Sequence, residues 1–104
     1  MVKMKSGDTS MAFSSTLLID GVAVNLTGCT VLFLLKSFIG GTETSLNATI
    51  VSAVAGTVKY IVGNGFPTTA GKYRQEWQVT FTDNSVLTFP NGAYNEVEIL
   101  ADLN

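Results

Sequence analysis

Histidine is absent from the 104 residues, which removes Ser-His-Asp and Cys-His catalysis and most zinc sites in one step. Acid–base chemistry would fall to eight carboxylates, Asp8, Asp20, Glu43, Glu76, Asp83, Glu96, Glu98 and Asp102. Glu96 and Glu98 share one strand parity, a placement a paired-carboxylate glycosidase could use. Such a pair needs two environments that separate its pKa values, and nothing in the sequence supplies them. The others fall in turns or on outward parities, where they read as solvated surface. No run of alternating Asp and Asn suggests a calcium loop. Gly63-Asn64-Gly65 has the glycines of a phosphate loop but neither the Lys-Ser/Thr nor the helix that should follow. Cys29, the lone cysteine, allows no intramolecular disulfide. Its setting, Leu26-Thr27-Gly28-Cys29-Thr30-Val31, reads as a strand start in which it is a buried small hydrophobe. Asn25-Leu26-Thr27 and Asn47-Ala48-Thr49 match the glycosylation sequon, and without a secretion signal they read as chance. No catalytic, cofactor-binding or metal residue is therefore expected.

Aromatics are the remaining chemistry, since they can line a glycan-binding face. Tyr60, Tyr73, Tyr94 and Trp77 are the candidates. Tyr73 and Trp77 share their parity with Val79 and Phe81 and are better read as core. Tyr94, beside Gly92 and Ala93, and Phe66, between Gly65 and Pro67, are the aromatics expected at a surface and are the candidate interface residues.

The element that positions these residues is Gly71 to Thr82. Tyr73, Trp77, Val79 and Phe81 fall on one parity, with Gln75 the one polar member. Arg74, Glu76, Gln78, Thr80 and Thr82 fall on the other. That alternation is a strand with one face in a core and one in water. A helix would gather Arg74, Trp77 and Phe81, which is no buried stripe. Around this central strand the chain reads as further strands. Lys3 to Ser6 is a short strand or tail. Ala12 to Ile19 and Val22 to Leu26 form a hairpin turning at Asp20-Gly21. Thr30 to Lys36 is a continuous apolar run, buried on both faces or lying at an interface. Ser37 to Ser45 reads as a loop, Asn47 to Ser52 and Val58 to Val62 as strands. Asp83-Asn84-Ser85 turns into Val86 to Phe89. Pro90-Asn91-Gly92 interrupts at an edge or bulge, and Asn95 to Leu100 closes the chain, with Val97 and Ile99 inward.

Seven or eight strands without a helix predict an all-β, two-sheet antiparallel sandwich in one domain spanning residues 1–104. The core is expected to contain Phe33, Tyr60, Tyr73, Trp77, Val79 and Phe81. A chain of this length buries about 65% of its unfolded surface, enough for a core without metal or disulfide. Gly71-Lys72-Tyr73 resembles the tyrosine corner of immunoglobulin-like domains, with Gln75 standing where antibody domains carry cysteine. Net charge is −2, and the six cations Lys3, Lys5, Lys36, Lys59, Lys72 and Arg74 form no run, so no nucleic-acid partner is expected. The longest greasy stretch, Val31 to Leu35, is far short of a membrane span. With no visible signal peptide, synthesis in the cytoplasm is expected. Only 13% of residues are charged, low for a free monomer, which predicts surfaces that dock on other proteins.

Four segments, in order, carry a family resemblance. They are Lys5 to Thr9 and Val24 to Phe33, then Gly56 to Tyr60 and Ala70 to Trp77, the last running on to Thr88-Phe89-Pro90. Together they resemble the N-terminal domain of the phage baseplate upper protein family and its small stand-alone phage and prophage versions. Asn25 stands for the usual Asp and Cys29 for the usual Ala. The resemblance implies an immunoglobulin-like sandwich that is a virion component of the tail or baseplate, made in the host bacterial cytoplasm. Other phage structural proteins and further copies of the chain are the implied partners. It implies no catalytic residue and no cofactor. An adaptor or decoration role fits better than receptor binding, and a carbohydrate- or receptor-binding module is the alternative.

Overall fold

The structure is a computed structural model that describes residues 2–5, 12–63, 66–67, 69–89 and 95–100. Among these it is all-β, with eleven strand segments and no helix. Gly71–Thr80 (β9) is the centre of the larger sheet. Its alternation carries through: Tyr73, Gln75, Trp77 and Val79 are buried, while Arg74 is exposed and Glu76, Gln78 and Thr80 are half-buried. One edge of β9 pairs antiparallel with Thr30–Ser37 (β5) along eight residues, from Thr30↔Thr80 to Ser37↔Tyr73. The other edge is shared by Val86–Phe89 (β10) and Asn95–Leu100 (β11). Val2–Lys5 (β1) lies parallel to β11, and Glu43–Asn47 (β6) lies antiparallel to β5, completing six strands.

A second sheet orders Ala12–Thr16 (β2), Thr57–Ile61 (β8) and Thr49–Ser52 (β7). The chain passes between the sheets at Ala48, whose N–H donates to the Val31 carbonyl at 3.1 Å. Leu18–Ile19 (β3) and Val22–Ala23 (β4) form a separate two-stranded ribbon.

The sheet orders β11-β9-β5-β6 and β2-β8-β7 reproduce the G-F-C-C′ and B-E-D arrangement of an immunoglobulin-like sandwich. With β1 as the first strand, eight segments fill such positions and leave over the ribbon and β10, which lies beside β9 on the same edge as β11. The excess over seven or eight expected strands has a local cause in each case. Ala12 to Ile19 breaks at Leu17, where the N–H turns to the Gly56 carbonyl at 2.8 Å. Asn47 to Ser52 breaks at the Ala48 crossing.

Two expectations need correction. Of the hairpin read from Phe13 to Leu26, Leu18↔Ala23 and Ile19↔Val22 pair and the Val24 N–H donates to the Leu17 carbonyl at 2.9 Å, but the arm before Leu17 does not join it, because β2 pairs with β8 instead. Ile19 and Val22 are exposed, while Val24 and Leu26 are buried without being strand. The loop read from Ser37 to Ser45 is a shorter turn. Gly40 and Gly41 take positive φ, and Glu43 to Ser45 already belong to β6.

The core lies between the sheets. Phe13, Val58 and Tyr60 from the smaller sheet meet Phe33, Leu35, Trp77 and Val79 from the larger. Phe33 is its hub, with its ring 4.6 Å from Tyr60, 5.0 Å from Phe13 and 5.2 Å from Trp77, the last edge-on. Offset and edge-on contacts of this kind suit the quadrupoles of aromatic rings. Leu34, on the opposite parity of β5, is also buried. Flanked by Glu76 and Ser45 on the neighbouring strands, it makes the apolar run buried on both faces there.

Candidate functional site

The inner face of β9 reads as a series of distinct environments. At its start, Gly71 has φ 146°, a conformation that L side chains rarely adopt. Two residues on, the Tyr73 hydroxyl donates to the Thr69 carbonyl at 2.7 Å. This is the tyrosine-corner bond, made at the start of the strand in the F position. Burial raises the Tyr73 pKa, so the hydroxyl keeps its donor proton. Tyr60 is raised too, chiefly by burial, with a Gly63 backbone hydrogen bond opposing.

Next along the face, Gln75 is the one buried polar side chain among the described residues. Its amide nitrogen donates to the Glu76 carbonyl at 3.0 Å and its oxygen accepts from the Asn95 amide at 3.1 Å. Both ends of the amide thus have partners, which is what makes a polar group tolerable at that depth. Trp77 follows, 2% exposed. Its Nε1–H is buried and has no acceptor, an arrangement that costs about 1–3 kcal/mol.

Trp77 and Asn95 together line two adjoining clefts on the side of the sandwich where β2 faces β10 and β11. The larger, of about 450 Å³, is walled by Ser15, Thr16, Leu17, Leu18, Asp20 and Phe89. The smaller, of about 170 Å³, adds Phe13, Ser14, Gln75 and Glu96. Sequence reasoning missed this seam. Its one legible signal was Gln75, a polar residue on a core parity.

Phe33, Tyr60, Tyr73, Trp77 and Val79 are all buried, and Phe81 is half-buried against the same cluster. Phe66 is also half-buried, stacked 6.1 Å from Tyr60 and 6.2 Å from Phe13. Its position is an extension of the aromatic core rather than an open platform. Tyr94 and the Pro90-Asn91-Gly92 interruption lie outside the described residues.

The acid–base candidates do not converge. Glu96 is half-buried, with a carboxylate oxygen 3.9 Å from the Lys72 ammonium. Asp83 sits in the β9–β10 turn, where its carboxylate accepts from the Ser85 hydroxyl at 2.6 Å and the Ser85 N–H at 2.9 Å. Those two bonds hold its pKa below the usual carboxylate value. Among the described residues no three His, Cys, Asp or Glu side chains are placed to hold a metal, and no helix is long and apolar enough to cross a membrane. Cys29 is a half-buried free thiol at the core margin. Asn25 of the first sequon closes a local turn, its side-chain oxygen accepting from the Thr27 N–H and hydroxyl.

Exposed large apolar side chains are spread over the surface, Val51, Val54, Ile61, Val86 and Leu100 among them. Leu18, Ile19 and Val22 are on the β3–β4 ribbon, and Phe38 and Ile39 are on the β5–β6 turn. The Arg74 guanidinium lies over the Phe38 ring at 5.8 Å. The described surface thus presents an apolar ribbon, an apolar turn and an open seam walled in part by Trp77.

The family model for the BppU N-terminal domain, the N-terminal domain of the baseplate upper protein, matches residues 1–95. No curated protein matches the chain.

Proposed function

Since the chain belongs to the baseplate upper protein family through its N-terminal domain, a phage structural family, we propose that it is a non-enzymatic adaptor of the tail or baseplate. In this reading residues 1–104 act as one immunoglobulin-like domain that works through protein–protein contacts. It is made in the bacterial cytoplasm and incorporated into the virion. Its partners are other phage structural proteins, and further copies of itself complete a symmetric ring, the usual geometry of such assemblies. It needs no cofactor, binds no nucleic acid and enters no membrane.

The observation that carries the reading is the family match over residues 1–95. The surface supports it: the exposed ribbon residues Leu18, Ile19 and Val22 suit burial against another protein, and the scattered carboxylates suit no reaction. Peptide mass spectrometry on particles purified after prophage induction tests the proposal. Stoichiometric amounts of the chain in the particle are expected. Recovery only from the cell lysate would overturn it in favour of an assembly factor or a glycan-binding module.

A further inference from the structure

Among the described residues the smaller sheet has three strands, β2, β8 and β7. An immunoglobulin-like sandwich places a strand A beside B in the sheet A-B-E-D. Here the first strand, β1, lies along β11 in the other sheet, and β2, in the B position, ends its sheet among the described residues.

The backbone of β2 is set to receive a neighbour. The Leu17 N–H donates to Gly56, and Ser15↔Val58 and Phe13↔Tyr60 continue that register. Hydrogen-bonded pairs alternate along an antiparallel ladder, so the N–H and C=O groups of Ser14 and Thr16 point away from β8. Free edges of this kind are usually guarded by charge, proline or a bulge. The other edge of this sheet, β7, has an irregularity between Ile50 and Ser52, and the edge strand β6 carries Glu43. Ala12–Thr16 reads Ala-Phe-Ser-Ser-Thr and has no such residue.

In front of that edge lie the two clefts that share Trp77 and Asn95. A peptide strand supplies carbonyls for the outward N–H groups of Ser14 and Thr16. The charged residues lining the clefts are Asp20 and Glu96, both acidic. Glu96 has the Lys72 ammonium at 3.9 Å, which leaves Asp20 as the carboxylate with no cation beside it among the described residues. A second copy, with net charge −2 and no run of cations, is a poor complement to it.

We propose that the seam between β2 and the β10–β11 side of the larger sheet receives an extended, cation-bearing segment of a different virion polypeptide, which adds to β2 as a further strand. This rests on the structural role proposed above.

Hydrogen exchange read by fragmentation mass spectrometry, comparing the free chain with the chain in purified particles, is the test. The Ser14 and Thr16 amides should exchange at least tenfold more slowly in the particle. Free-chain rates at these amides, with the chain present in the particle, overturn the proposal and leave the structural role standing. Absence of the chain from the particle, seen in the same digest, removes the structural role and this proposal with it. Equal protection in the free chain, with a dimer by sedimentation, would assign the edge to a second copy and also overturn it. Two variants sharpen the result. Ser14→Pro removes an N–H that β8 does not use, so the chain should stay folded and yet incorporate at least tenfold less. A folded variant that incorporates normally overturns the proposal. Asp20→Asn keeps a residue suited to positive φ and should lower incorporation about threefold, and unchanged incorporation overturns the cationic assignment.

Discussion

The central strand β9 and the β3–β4 ribbon are both written as alternating or apolar β sequence, and they meet opposite fates. In β9 every second side chain from Tyr73 to Val79 is buried, and both edges of the strand are paired. In the ribbon two residues pair with two, and Val22 is 68% exposed. The difference lies in what covers each strand. β9 has a second sheet over its inner face, so its apolar parity leaves water and contributes hydrophobic stabilisation. The ribbon pairs with neither sheet and keeps Leu18, Ile19 and Val22 exposed, so the same residue types remain available to another molecule. Alternation thus specifies that a face can be buried, and the topology decides whether it is buried in this chain or against a partner.

The comparison can be broken first at its buried end. Trp77→Ala should cost about 3–5 kcal/mol, because a large core side chain is lost and a cavity remains. Urea denaturation would measure it, and a loss below about 1 kcal/mol would contradict the register of β9.

Gly56→Ala tests the base of the ribbon. Its φ is +69°, and an added Cβ would stand 2.8 Å from the Val24 carbonyl oxygen and 2.9 Å from that of Leu17. The turn would have to move away from the ribbon, at about 2–4 kcal/mol. Thermal melting followed by circular dichroism would register the fall in Tm.

Tyr73→Phe keeps the ring and deletes the donor to Thr69. The expected loss is about 1 kcal/mol, read from the urea midpoint at unchanged slope. The raised Tyr73 pKa gives the sign of its pH response. The contribution is complete below the ordinary tyrosine value and fades as pH rises through the folded one.

Asp83 should have a smaller effect, with the opposite pH sense. Its lowered pKa means that its stabilisation is present above the ordinary carboxylate range and is lost as pH falls through the folded value. The Tm difference between the native chain and Asp83→Ala should therefore shrink below about pH 4.

Val22→Thr, at the exposed end of the comparison, should change stability by less than about 0.5 kcal/mol. A large loss would mean that the ribbon packs within the chain.

The fold was legible where local pattern and tertiary role coincide. Tyr73, Gln75, Trp77 and Val79 announced a one-sided strand, and Asp20-Gly21 announced a tight turn, with φ of 52° and 79°. The tyrosine corner could be read from Gly71-Lys72-Tyr73 because glycine freedom and the position of the tyrosine are both sequence properties. Pairing was less legible. Ala12 to Ile19 looked like one arm of a hairpin, yet Leu17 turns its N–H to Gly56, a residue 39 positions away. Nothing local marks that choice. The seam was hidden for the same reason: Ser14, Trp77 and Asn95 line one cleft while standing far apart in the chain.

By itself, then, the sequence determined the period of each strand, the inward parity of β9 and β11, the turns at Asp20-Gly21 and Asp83-Asn84-Ser85, and the lack of histidine chemistry. These depend on steric preferences and side-chain types within a few residues. The tertiary structure alone decided that β1 lies on β11, that the chain changes sheets at Ala48, that β2 ends its sheet among the described residues and that the Trp77 indole N–H is buried without an acceptor. Those outcomes depend on which strands find each other, and pairing between distant segments is settled by the combined burial of the core.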